Sequence, residues 1–275
     1  GNSSATITDL TFNVAPSADA ITKVTVGGKS ATVVGSTATV EGLTIAVPAG
    51  SAGVDVPVTV DFGNVAQPGG LASQASALSK ITLSAVEYTS GTFTEILTTG
   101  LGTATHESSA MQLVGTKPTL TVNQSTPASG LSIGENKIGE VTVAADAKGN
   151  VKMQSINFDI TLSGITGGAI SACKIVEGTS GSIAVTGSVA AACSATAADF
   201  TFGATGYTLQ AGQSKTFSVY ATVAGTLGTS GQSSVSTKIE TGSTGFTWDD
   251  VNGGGTGLTG ANIYNYPTNS WSVKN

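Results

Sequence analysis

From Val151 the chain alternates: Val151, Met153, Ile156, Phe158 and Ile160 hold the apolar positions of VKMQSINFDI, with polar residues between them. A period close to two predicts a strand with one face on a core, and Gly149-Asn150 just before it predicts a turn. The opening stretch GNSSATITDLTFNV has the same turn pair, followed by Ile7, Leu10, Phe12 and Val14. The next stretches also match in order. ISACKIVEGTSGSIAVTG answers AITKVTVGGKSATVVGS, and both read as hairpins with glycine in the turn. FTFGATGYTLQAGQSKTFSVYATVAG answers VEGLTIAVPAGSAGVDVPVTVDFGNV, each a strand, an Ala-Gly turn and a long alternating strand. In the long strands Phe217, Val219, Ala221 and Val223 correspond to Val56, Val58, Val60 and Phe62. No segment of ten or more residues carries a helical period.

The pattern therefore predicts an all-β chain of two tandem immunoglobulin-like antiparallel β-sandwiches, the first incomplete. The expected division is a first sandwich over residues 1–115, a second over 116–266 and a terminal strand over 267–275. The second unit has a leader, PTLTVNQSTPASGLSIGENKIGEVTVAADAK, with at least two strands before its Gly-Asn turn, whereas the first begins on the turn itself. A sandwich without its leading strands exposes apolar side chains and unpaired backbone groups. PTNSWSVKN at the C-terminus is a strand of the leading type with no sandwich behind it. The expectation that follows is donor-strand complementation. Pro267, Trp271 and Val273 would belong to the donor, and Ile7, Leu10, Phe12 and Val14 to the acceptor's neighbouring strand, so that copies of the chain link head to tail into a pilus-like filament. The alternative is a piece of a longer surface array whose terminal strand folds back on its own unit.

Composition narrows the class. Of 275 residues 39% are hydrophobic, enough to bury real cores, and only 10% are charged. The net charge is -6 and the 11 basic residues are all lysine, an acidic surface without arginine's bidentate fork, which argues against nucleic acid as a partner. No run approaches the ~20 apolar residues of a membrane-spanning helix. The N-terminus lacks the blocks of a signal peptide, so the chain is either cytosolic or already relieved of an export signal. Cys173 and Cys193 flank a predicted turn and strand that bring them together as a disulfide, which favours an extracellular setting; two buried free thiols are the alternative. Asn2 and Asn123 stand in glycosylation triplets, which arise easily in a chain so rich in Ser and Thr.

Candidate chemistry is sparse. His106 is the only histidine and the carboxylates are scattered, so neither a nucleophilic triad nor an acid/base pair is expected, and the chain reads as no enzyme and without cofactor. Asp249, Asp250 and Asn252 beside flexible glycines offer oxygens to Ca²⁺, against the alternative of a turn held by their own side chains. Trp248, Tyr264, Tyr266 and Trp271 cluster near the C-terminus. They read as core or interface plugs, or as a stacking platform of a carbohydrate-binding module.

The stretches KPTLTV, EVTVAADAKGNV, LQAGQSKTFSVYATV, GFTWDD and NYPTNSWSV resemble the Ser/Thr/Gly-rich repeated β-sandwich modules of S-layer-like and large surface proteins of small-genome candidate-phylum bacteria, mainly over residues 116–275. The resemblance implies a secreted, cell-surface or filamentous role without catalysis, and brings no catalytic residues with it.

Overall fold

A computed structural model describes residues 3–15, 20–51, 53–63, 79–99, 101, 106–111, 113–122, 124, 128–178, 185 and 188–275. The chain divides into two units, Gly1–Leu113 and Val114–Asn275. Both are β-sandwiches built almost wholly from antiparallel pairs, as the alternation predicts.

The first unit contains β1 (Ala5–Ala15), β2 (Ile21–Val26), β3 (Lys29–Thr32), β4 (Thr37–Val40), β5 (Ile45–Val47), β6 (Val58–Phe62), β7 (Lys80–Ser90) and β8 (Phe93–Leu97). One sheet runs β4-β1-β7-β8 with β5 also beside β1; the other runs β3-β2-β6. Leu10, Phe12 and Val14 of β1 bury against Ile21, Val24 and Val26 of β2, with Val40, Leu43 and Ile81 closing the core. The β2–β3 hairpin turns on Gly27 and Gly28, both at positive φ (54° and 79°), the conformation a two-residue turn of this twist requires and a side chain resists.

The second unit contains β9 (Pro118–Thr121), β10 (Ala128–Ser129), β11 (Gly134–Ala145), β12 (Val151–Ser163), β13 (Ile165–Glu177), β14 (Val189–Cys193), β15 (Ala197–Thr201), β16 (Tyr207–Leu209), β17 (Ser214–Leu227), β18 (Ser234–Ile239), β19 (Phe246–Asp250), β20 (Gly255–Thr259) and β21 (Ser270–Lys274). One sheet runs β13-β17-β11-β9. The facing sheet runs β10-β21-β18-β12-β15-β14, with β16 and β19 also beside β12 and β20 beside β19. Met153, Ile156 and Phe158 of β12 and Phe217 and Val219 of β17 are all nearly or fully buried in the core.

The internal repeat is written into the pairings. β1 takes β4, β5 and β7 as neighbours, and β12 takes β15, β16 and β18 in the corresponding places. β2 pairs with β6 as β13 pairs with β17, and the register agrees, with Ile21 opposite Phe62 and Ile170 opposite Val223. The units part company beyond this shared set. In the second unit β17 has β11 on its other side and β9 beyond that.

Candidate functional site

The residues expected to form a donor strand do not stand free. β21 is paired along its length with β18, Val273 opposite Val235 and Trp271 opposite Thr237. Its other edge meets β10 in parallel, Ala128 opposite Val273. Gln124 reads the backbone of Ser272 from both sides, donating from Nε2 to its carbonyl (2.8 Å) and accepting its N–H. Asn269 donates to the Val122 carbonyl at 2.6 Å, and the Lys274 carbonyl accepts from Gly130 and Leu131 at 2.9 Å each. Trp271 and Val273 are buried, and the Lys137 ammonium lies 5.8 Å from the Trp271 ring centre. Pro267 is half-buried in the connection leading to the strand. Within this chain, the apolar face of Trp271 and Val273 that donation would bury in a neighbour's sandwich is buried on the chain's own second unit.

Ile7, Leu10, Phe12 and Val14 lie on β1, and both edges of β1 are taken; Leu10 stands between Val40 and Val86. The unpaired edges of the first unit lie elsewhere. Among the described residues β6 pairs with β2 alone and β8 with β7 alone. Val58 and Phe62 of β6 are each 37% exposed, whereas their counterparts Val219 and Val223, flanked on both sides, are fully buried. On β8 Phe93 and Ile96 are exposed, and Glu95 between them accepts a 2.6 Å hydrogen bond from Tyr88. A shallow groove of about 800 Å³ lies at the tip of the β7–β8 hairpin, lined by Ser3, Ser4, Ser90, Thr92 and Phe93.

Cys173 and Cys193 form the expected disulfide, with Cα atoms 5.6 Å apart. Cys173 is on β13 and Cys193 on β14, so the bridge ties one sheet of the second sandwich to the other.

Asp249, Asp250 and Asn252 are occupied by protein donors. Asp249 accepts from the Gly257 N–H (3.0 Å) through one oxygen, and from Gln154 Nε2 (2.5 Å) and Lys152 Nζ (3.0 Å) through the other. Asp250 accepts from Gly253 (2.9 Å) and Gly115 (2.6 Å), and Asn252 accepts from the Asn150 N–H (2.7 Å). These hydrogen bonds make the three side chains a brace for the loop. Burial alone would raise the Asp249 pKa, but the Gly257 N–H, Lys152 and Gln154 outweigh it and hold the carboxyl below its usual range. Among the described residues no three His, Cys, Asp or Glu side chains come together as a metal site.

Of the four clustered aromatics, Trp248 and Trp271 are core residues. Tyr266 donates to the Glu240 carbonyl at 3.0 Å, and burial pushes its hydroxyl above the ordinary tyrosine range. Tyr264 is exposed, so the four form no shared platform for a sugar ring. Asn2 and Asn123 lie outside the described residues. Among the described residues no helix is long and apolar enough to cross a membrane.

Sequence reading missed the β6 edge and the Gln124 clamp. The edge had a signal in the alternation of the strand containing Val58 and Phe62, which matches that of Val219 and Val223. Gln124 carries none, being a single polar residue far in sequence from Ser272.

No protein-family model matches the chain, and no curated protein matches it. Among solved structures it is similar to the crystal structure of collagen adhesin from S. aureus, at 11% identity over 97% of this chain and 81% of that one, with a TM-score of 0.21. The all-β sandwich assignment rests on the strand pairings themselves.

Proposed function

We propose that this chain is a non-catalytic structural protein of the extracellular cell surface that assembles with neighbours by strand addition. The observation that carries the reading is the contrast between the units: β17 is flanked on both sides in a disulfide-stapled sandwich, while among the described residues its counterpart β6 is paired on one side only. Unpaired edges invite pairing with another chain, and β-augmentation turns that hazard into a joint. The surface chemistry suits an exposed assembly, with only 10% charged residues. Whether the product is a fibre or a two-dimensional layer depends on the symmetry of the joint, since a head-to-tail contact propagates unless its rotation closes. Donation of residues 267–275 would require β21 to leave β18, β10 and the Gln124 clamp; joining at an open edge of the first unit leaves that strand in place.

The test is negative-stain electron microscopy with sedimentation velocity on the purified full chain over a concentration series. Ordered fibres or sheets at high concentration support the proposal. Dispersed particles at every concentration, also after mixing with surface extract of the source cells, refute it.

A further inference from the structure

We infer that Asn252 and Gly253 form a self-modifying site, at which the folded chain closes the Asn252 side chain on the Gly253 nitrogen, releases ammonia and leaves aspartate or isoaspartate at residue 252. The site lies in the second unit and owes nothing to strand addition.

Asn252 is the only asparagine of the chain that precedes a glycine. A glycine carries no Cβ to hinder its nitrogen from approaching the preceding side-chain carbonyl, and the chain itself holds the two reactants together. The loop between β19 and β20 adds groups that a free peptide lacks. β12 and β19 pair with Val151 opposite Asp250, which brings Asn150 alongside that loop. The Asn150 N–H donates to Asn252 Oδ1 at 2.7 Å. Gly149 makes room for this contact, since a Cβ there would lie 3.0–3.1 Å from the Asn252 side chain. The Gly253 N–H donates to Asp250 Oδ1 at 2.9 Å, and the other Asp250 oxygen accepts from the Gly115 N–H at 2.6 Å. Asp250 is buried, whereas Asn252 is exposed to the water that completes the reaction.

Each of these hydrogen bonds matches a step. Asp250 takes the proton from the Gly253 nitrogen as that nitrogen bonds to Asn252 Cγ, the work of a general base. Negative charge then develops on Oδ1, where the Asn150 N–H already points as an oxyanion donor. The Cγ–Nδ2 bond breaks, the amide nitrogen leaves as ammonia with the proton that Asp250 returns, and a succinimide ring remains. Water opens the ring at either carbonyl. Opening at Cγ gives aspartate; opening at the backbone carbonyl gives isoaspartate and adds a methylene to the backbone of the loop. The Asn150 donor is in place only while β12 and β19 are paired, so the acceleration belongs to the folded unit. Folding ordinarily slows this chemistry, because it restrains the asparagine side chain and the next nitrogen without supplying a base or an oxyanion donor.

The test keeps the purified full chain at neutral pH, folded in one sample and unfolded in urea in the other, and follows residue 252 by liquid chromatography with mass spectrometry, which separates asparagine, succinimide, aspartate and isoaspartate. The folded chain is expected to lose Asn252 about tenfold or more faster than the unfolded one. Asp250→Asn keeps an acceptor for the Gly253 N–H but removes the base. It is expected to bring the folded rate down to the unfolded rate, with thermal unfolding showing that the second unit is intact. A folded rate equal to or below the unfolded rate overturns the inference, and so does a folded Asp250→Asn chain that reacts as fast as the unsubstituted one. Should that variant not fold, the comparison of folded and unfolded unsubstituted chain decides alone.

Discussion

Phe62 stands directly opposite Ile21 in the β2–β6 pair, yet Ile21 is fully buried and Phe62 is 37% exposed. In the sister unit the corresponding Val223 is fully buried. Among the described residues β6 has one strand neighbour where β17 has two, and the difference has an energetic consequence. A buried Phe→Ala change ordinarily costs about 3–5 kcal/mol, and a smaller buried residue less. At β6 the order inverts: Phe62→Ala is expected to cost the first unit under about 1.5 kcal/mol, while Val223→Ala costs the second about 2–3 kcal/mol. Urea unfolding of each variant, read by exchange at amides of the affected unit, measures both.

The C-terminal strand is part of the second sandwich's own sheet. Trp271→Ala removes a buried ring and is expected to destabilise that unit by about 3–5 kcal/mol. Truncation after Tyr266 removes Val273 and the Gln124 clamp as well and exposes the edge of β18. Thermal unfolding of the truncated chain is expected to show an early transition in the second unit, with assembly lost only as a result of that unfolding. A truncated chain whose second unit melts normally would restore these residues to a donor role.

The Cys173–Cys193 bridge joins two sheets across 20 residues of chain. In the chain-entropy picture a loop of that size contributes about 3 kcal/mol. The double substitution Cys173→Ser with Cys193→Ser is expected to lower the stability of the second unit by roughly that amount and leave the first unit's transition where it was. Differential scanning calorimetry of the two proteins separates the transitions.

Acid acts on the Asp249 brace. Its folded-state pKa lies below the unfolded value of about 4, so the carboxylate adds stability that is fully present above that value and is lost as the pH falls through the folded pKa. Denaturant unfolding at pH 7 and pH 3 is expected to show the second unit losing stability in acid, and Asp249→Asn is expected to flatten that part of the dependence.

Much of this architecture is legible in the residues. One-sided burial imposes alternation, so the long strands announce themselves at Val151–Ile160 and at Phe217–Val223, and the shared order of turns and strands exposes the repeat. The cysteines are legible because a short turn and strand between them fixes their distance. Strand neighbours are another matter. Trp271 and Val273 present the same apolar face whether the sheet that receives them belongs to their own unit or to another chain, and only the long-range register with Val235 and Thr237 decides between these. The same holds for Ile7, Leu10, Phe12 and Val14: alternation marks β1 as half-buried but does not say that β4, β5 and β7 take up both its edges. The sequence places Asp249 and Asp250 side by side but does not show that Gly257, Gly253 and Gly115 N–H groups reach their oxygens, since these partners lie in loops or far along the chain.

The central claim is that, among the described residues, β6 is paired on one edge only, whereas its counterpart β17 is paired on both. Amide hydrogen exchange on the full chain at low concentration, resolved to single residues across Val58–Phe62 and Val219–Val223, tests it most directly. The account predicts that the β6 amides facing away from β2 exchange at close to free rates, while every amide in the β17 stretch is protected, because β13 and β11 satisfy both of its edges. Uniform protection of β6 matching that of β17 would contradict it.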